Sequence, residues 1–302
     1  MMSLPQSIKI VEVSPRDGLQ NESQVIDIET KIRLINDLRL AGIKQLEVTG
    51  FVSPKWVPQL ADASELCSRL TPDPEVIYSA LTPNMQGFEA AMAAGIKEVA
   101  VFTAASESFT QKNINCSIDE SFTRFTPLIA AAKEQGIKVR GYVSCALGCP
   151  YEGEIKPEQV AAVSERLFAM GCYEISLGDT IGVGTPLTAQ RMFAQVAKRI
   201  PTISLAIHFH DTYGQALANI LACIQEGARI IDASVAGLGG CPYAPGASGN
   251  VSTEDVVYML QGMGINTGID LEQLIKAGER ISARLNRSNN SKVARAMSAK
   301  TS

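Results

Sequence analysis

Short apolar runs alternate with longer stretches of helical periodicity along the whole chain. The runs Lys9–Ser14, Gln45–Thr49, Val76–Leu81, Glu98–Ala104, Lys138–Ser144, Tyr173–Leu177, Leu205–His210 and Ile230–Val235 are rich in β-branched residues. Near-continuous apolar character of this kind marks parallel strands covered on both faces. Between them Glu29–Ala41, Met85–Ala94, Ile118–Gln135, Pro157–Met170, Thr185–Lys198 and Ala216–Glu226 carry apolar residues at helical spacing. Five of these patterns run into a glycine just ahead of the next strand: Gly42, Gly95, Gly136, Gly171 and Gly227. A glycine there is the left-handed stop that turns a helix back into a sheet.

Eight strand-and-helix units without a Pro/Gly/Ser-rich linker predict one α/β domain over 1–302, a (β/α)8 TIM barrel. A doubly wound open sheet is the runner-up, because counting strands does not establish closure. No Gly-x-Gly-x-x-Gly turn follows the first strand, which weighs against the dinucleotide-binding form of that sheet. Asp270–Ala299 reads as helical and then polar. We expect a C-terminal helical cap over 270–302 that frays towards its end.

In such a barrel the chemistry collects at the carboxyl ends of the strands. The two histidines of the chain stand together there, as His208-Phe209-His210. Alternation along a strand puts both imidazoles on one face, a good start for a divalent metal site. Two satisfied polar residues at a strand end are the plainer explanation. Other strands end in Arg16-Asp17, Glu47 and Asp179, and the eighth leads into the glycine-dense Gly237–Asn250 stretch with Cys241. Taken singly, Asp179 is as well explained as a turn cap and Arg16 as a surface ion pair. If the barrel closes they converge, and Asp17 and Asn250 then complete a shell with His208 and His210. Two nitrogens and two oxygens suit Mg²⁺, Mn²⁺, Co²⁺ or Zn²⁺.

The remaining features narrow the partners. With 27 basic and 31 acidic residues, a net charge of -4 gives no electrostatic case for nucleic acid. No apolar stretch is long enough for a membrane span. Seven cysteines form no regular framework, which fits free thiols in a reducing, cytoplasmic compartment. The start of the chain lacks the pattern of an export or transit peptide.

Several long motifs reach further. Ser14–Glu22, Phe51–Gln59, Lys112–Ser117, Gly141–Gly153, Glu174–Pro186 and Gly237–Asn250 resemble the 3-hydroxy-3-methylglutaryl-coenzyme A lyases. That is a metal-dependent family among the metallolyase and Claisen-condensing barrels, and the likeness runs from Ile8 to Ala296. The loop Gly237-Leu238-Gly239-Gly240-Cys241-Pro242-Tyr243-Ala244 is similar to the signature of the lyases in particular. The resemblance implies a divalent cation, Mg²⁺ or Mn²⁺, held by Asp17, His208, His210 and Asn250. It implies a catalytic Arg16, an essential Glu47, a supporting acid at Asp179 and a reactive Cys241, with Asp17 and His208 counted among the catalytic groups.

The implied reaction cleaves (S)-3-hydroxy-3-methylglutaryl-CoA to acetyl-CoA and acetoacetate, a step of leucine degradation and ketone-body formation. In it the cation acidifies the C3 hydroxyl, Asp17 or a metal-bound water takes the proton, and Arg16 meets the thioester oxygen. Cys241 then protonates the departing carbanion. For the acyl-CoA partner, Lys112 and Asn113 are the candidate contacts, against the alternative of a polar surface loop. Barrels of this family often form homodimers. A related Claisen-type synthase or lyase acting on another 3-hydroxyacyl-CoA or a 2-oxo acid, and a barrel that merely binds an acyl-CoA, are the competing readings.

Overall fold

Eight parallel strands pair in chain order and the first closes on the eighth, so the sheet has no edge. The computed structural model describes residues 4–22, 24–240 and 249–299. The strands are β1 (Lys9–Glu12), β2 (Gln45–Gly50), β3 (Ile77–Leu81), β4 (Glu98–Ala104), β5 (Lys138–Ser144), β6 (Glu174–Asp179), β7 (Leu205–Phe209) and β8 (Ile230–Ala233). Closure is secured by Lys9, Ile10, Val11 and Glu12, which register with Ile230, Ile231, Asp232 and Ala233. The open-sheet alternative is thereby overturned.

Around the barrel run α1 (Ile28–Leu40), α2 (Ala63–Ser68), α3 (Met85–Ala93), α4 (Glu107–Ile114), α5 (Ile118–Glu134), α6 (Pro157–Met170), α7 (Pro186–Ala197), α8 (Ala216–Gln225) and α9 (Thr253–Gly262). Two more, α10 (Leu271–Arg284) and α11 (Lys292–Ser298), follow. Their starts are set by side chains that accept orphan backbone N–H groups: Asp27, Asn84, Ser106, Ser117, Asp270 and Ser291. The five expected glycine stops all take left-handed backbone, with φ of 98° at Gly42, 83° at Gly95, 67° at Gly136, 114° at Gly171 and 108° at Gly227. The main core lies between sheet and helices, where Leu46, Val48, Val99, Val101, Leu177 and Ile207 meet Leu38, Leu128, Leu167 and Phe193.

The C-terminal segment is helical as far as Ser298: α10 packs along α1, and α11 is held against α9. There Asp255 accepts from Ser291 Oγ at 2.7 Å and from the Val293 N–H at 2.9 Å. The polar residues ahead of α11 include its cap, Ser291, whose Oγ accepts from the Ala294 N–H at 2.9 Å.

Candidate metal and active site

The chain leaves β1 through a tight turn, Ser14–Gly18, in which the N–H groups of Arg16, Asp17 and Gly18 all point at the Val13 carbonyl, 2.8 to 3.2 Å away. This turn lifts Arg16 and Asp17 over the barrel mouth. Gly18 is needed for close approach: a Cβ there would stand 2.8 Å from Ser234 Oγ and 2.9 Å from Leu238 Cβ. On the far side, residues 249–251 are stitched to the end of β7. The Asp211 N–H donates to Gly249 O at 2.8 Å, the Val251 N–H donates to Phe209 O at 3.2 Å, and His210 forms a β-bridge with Asn250.

These connections bring the expected ligand residues together. Asp17, His208 and His210 offer ligand atoms that all lie within 4.8 Å of one another. Asn250 Nδ2 donates to Asp17 Oδ2 at 2.8 Å and to Leu238 O at 3.1 Å; turning the amide over would present its oxygen to a cation at the same place. One carboxylate, two imidazoles and one amide are a donor set for a borderline or hard divalent ion, so the residues present fit such a group.

The charges of the site are arranged around this cluster. Arg16 is nearly buried, yet Nε reaches Glu47 Oε2 at 2.7 Å, Nη2 reaches the same oxygen at 2.5 Å, and Nη1 reaches Asp17 Oδ1 at 2.5 Å. Burial works against its charge, but Glu47 and Asp17 outweigh it and hold the guanidinium firmly protonated. Removal from water pushes the Glu47 carboxyl up, with Arg16 opposing. For Asp17 desolvation is overcome by Arg16 and His208, which hold the carboxyl at about 2 and so ionised at neutral pH. Burial beside His208 lowers His210 to about 4, so it stands as a neutral imidazole.

Beneath the mouth lies a buried polar chain that the sequence did not announce. His208 Nδ1 faces Asp232 Oδ2 at 3.2 Å, leaving Nε2 towards Asp17 at 3.8 Å. Asp232, on β8, is itself gripped by Arg140 of β5 at 2.9 and 2.7 Å and by Ser176 Oγ at 2.8 Å. Arg140 also donates from Nε to Glu174 at 2.6 Å and from Nη1 to the Tyr142 hydroxyl at 2.8 Å. Tyr142 in turn donates to Glu47 at 3.3 Å. Arg140 therefore ties the imidazole side of the site to the arginine side. Although desolvation opposes it, Arg140 and His208 keep the Asp232 carboxyl far below the usual range.

Other expected residues sit apart from this cluster. The Asp179 carboxylate accepts from the backbone N–H groups of Val183 at 3.2 Å and Gly184 at 2.9 Å, the turn-capping alternative. It reaches the ligands only through its main chain, whose carbonyl accepts from the His210 N–H at 3.3 Å. Burial raises its pKa to about 6 against those N–H bonds. Lys112 and Asn113 are exposed on α4, with Lys112 Nζ 4.0 Å from the Tyr151 ring centre. Cys241 lies outside the described residues. Asp232, Arg140 and Tyr142 were missed by sequence reasoning. Their one signal was polar residues at alternate positions inside otherwise apolar strands.

The HMGL-like family model matches residues 7–281. The protein named "Hydroxymethylglutaryl-CoA lyase, mitochondrial" of Bos taurus is 60% identical over 294 residues, covering 97% of this chain and 90% of that protein. The "3-hydroxy-3-isohexenylglutaryl-CoA/hydroxy-methylglutaryl-CoA lyase" of Pseudomonas aeruginosa is 57% identical over 299 residues, 99% of this chain and 100% of its own. A crystal structure of hydroxymethylglutaryl-CoA lyase from Pseudomonas aeruginosa superposes with a TM-score of 0.97 at 57% identity, covering 99% of this chain and 100% of that one.

Proposed function

The chain belongs to the HMGL-like family, and we propose that it cleaves (S)-3-hydroxy-3-methylglutaryl-CoA to acetyl-CoA and acetoacetate. The observation that carries this reading is the convergence of Asp17, His208 and His210 within 4.8 Å beside a charged, half-spent arginine. In the reaction the C3 hydroxyl loses its proton to the Asp17 carboxylate or to a water, and the C2–C3 bond breaks. The electron pair moves onto C2, which then takes up a proton to become the methyl group of acetyl-CoA.

Asp17, His208, His210 and Asn250 are the residues we assign to a divalent cation, Mg²⁺ or Mn²⁺. When bound, it supplies Lewis-acid polarisation of the C3 hydroxyl. Arg16 has five N–H groups and three contacts with Glu47 and Asp17, which leaves two for the thioester oxygen as it gains enolate charge. One such donor contributes about 3 kcal/mol to barrier lowering. Glu47 holds Arg16 in that pose, and Asp232 fixes the His208 tautomer so that Nε2 faces Asp17. Asp179 braces the turn after β6, next to the His210 main chain. The thiol of Cys241 is assigned as the proton donor to C2.

Lys112 and Asn113, exposed at the barrel rim, are assigned to the CoA moiety. The described cysteines are buried free thiols, which supports a reducing, cytoplasmic setting. Among the described residues no helix is long and apolar enough to cross a membrane. The test is acetoacetate release from (S)-3-hydroxy-3-methylglutaryl-CoA with added Mg²⁺ or Mn²⁺ and after chelation. Metal-dependent release is expected, and no release with either ion would overturn the assignment.

A further inference from the structure

The lumen is divided at the level of the ligand cluster. From β7, β8, the turn after β1 and β2 come His208, Asp232, Arg16, Asp17 and Glu47. From β3, β4 and β5 come Leu81, Ala100, Phe102 and Tyr142, joined by Val52 just beyond β2 in an apolar cluster separate from the main core. Their chain neighbours Ala80, Val99, Val101 and Val143 belong instead to the core outside the sheet, as strand alternation requires. Leu81 registers with Ala100, and Phe102 with Tyr142, so these residues share the inner face. The Tyr142 ring meets His208 edge-on at 6.0 Å and stands 5.7 Å from the Arg16 guanidinium. The apolar residues therefore lie on the inner face beside His208 and Arg16. Leu81 and Ala100 are buried, whereas Phe102 and Val52 keep part of their surface open at the mouth.

The substrate's C3 carries four groups. Its hydroxyl, its carboxymethyl arm and its thioester arm all end in oxygens that the charged half of the mouth can meet. The fourth is an alkyl group, and at a tetrahedral carbon it points away from the mean direction of the other three. We propose that Val52, Leu81, Phe102 and Tyr142 form the binding site for this C3 alkyl substituent, with the half-buried Phe102 setting the length it accepts. The inference rests on the lyase reading and goes beyond it by naming what selects the substrate's branch.

The test compares 3-hydroxyglutaryl-CoA, its 3-methyl form and its 3-propyl form on the intact protein with Mn²⁺. Wild type should favour methyl over hydrogen by about 10-fold in kcat/KM, the scale of one methyl group in an apolar pocket. Phe102→Ala should raise the propyl-to-methyl ratio by about 10-fold or more, on the same scale, with Mn²⁺ affinity unchanged. Phe102→Leu, which keeps more of the wall, should shift the ratio the same way but less. Equal losses on all three substrates would overturn the wall while leaving the lyase reading intact. Absence of cleavage of every substrate by wild type would overturn both.

Discussion

Asp232→Asn is the sharpest probe of how the site is held. The two Asp232 oxygens take four donors: His208 Nδ1 at 3.2 Å, Ser176 Oγ at 2.8 Å, and the Arg140 guanidinium at 2.9 and 2.7 Å. An amide retains one acceptor, so whichever way it turns, an NH₂ confronts a donor. Arg140 is then left buried with Glu174 as its remaining carboxylate. Losing one partner of a buried pair costs about 3–5 kcal/mol. His208 loses the acceptor that fixes its tautomer, and removing such a support lowers metal affinity by about 10–100-fold. Urea unfolding of metal-free protein and calorimetric titration with Mn²⁺ alone read the two effects separately. Glu174→Gln is the control, since it takes the negative charge from the Arg140 Nε partner at 2.6 Å, and from its pair with Lys9, without touching His208. It should lower stability in the same direction and spare most of the metal affinity. If Asp232→Asn binds Mn²⁺ as wild type does, or if Glu174→Gln weakens binding as much, the tautomer argument is wrong.

Arg16→Gln should lower kcat by about 100- to 1000-fold, the range for one donor to a developing oxyanion, with little change in Mn²⁺ affinity; unaltered turnover removes Arg16 from the chemistry. Cys241→Ala should lower turnover while leaving the unfolding midpoint and Mn²⁺ affinity unchanged, and undiminished turnover excludes the thiol as donor to C2. Glu254 gives a pH dependence. Burial raises its carboxyl to about 8 although both oxygens take the Ala236 N–H, at 3.0 and 2.9 Å. Its folded pKa lies above the unfolded value, so its contribution is complete below about pH 4.3 and lost as pH rises through 8, by up to about 5 kcal/mol. Glu254→Gln should therefore gain stability relative to wild type between pH 6 and pH 9. Parallel stability curves over that range would refute the assignment.

What could be read from the chain follows local rules. Strand alternation put His208 and His210 on one face, and helix-stop chemistry placed five glycines whose backbone proves left-handed. Helices α2, α4 and α9 escaped that reading for local reasons too. The first two have only 6 and 8 residues, and the third buries Glu254 and Asp255 where an amphipathic pattern asks for apolar side chains. Strand ends were misplaced at β1 and β8 because the tight turns Ser14–Gly18 and Val235–Gly237 take over from the extended backbone.

The sequence alone determined the repeat of strand and helix, the imidazole pair and the polar residues at strand ends, because each is set by neighbours a few positions away. Only closure of the barrel decided which of those polar residues meet. It brought Asp17 to His208 across 191 positions, set Arg140 against Asp232 across 92, and made Asp179 a turn cap. Inside a strand a charge looks like a defect in the apolar pattern. Its partner lies on another strand, and tertiary packing alone supplies the opposite charge that makes its burial tolerable.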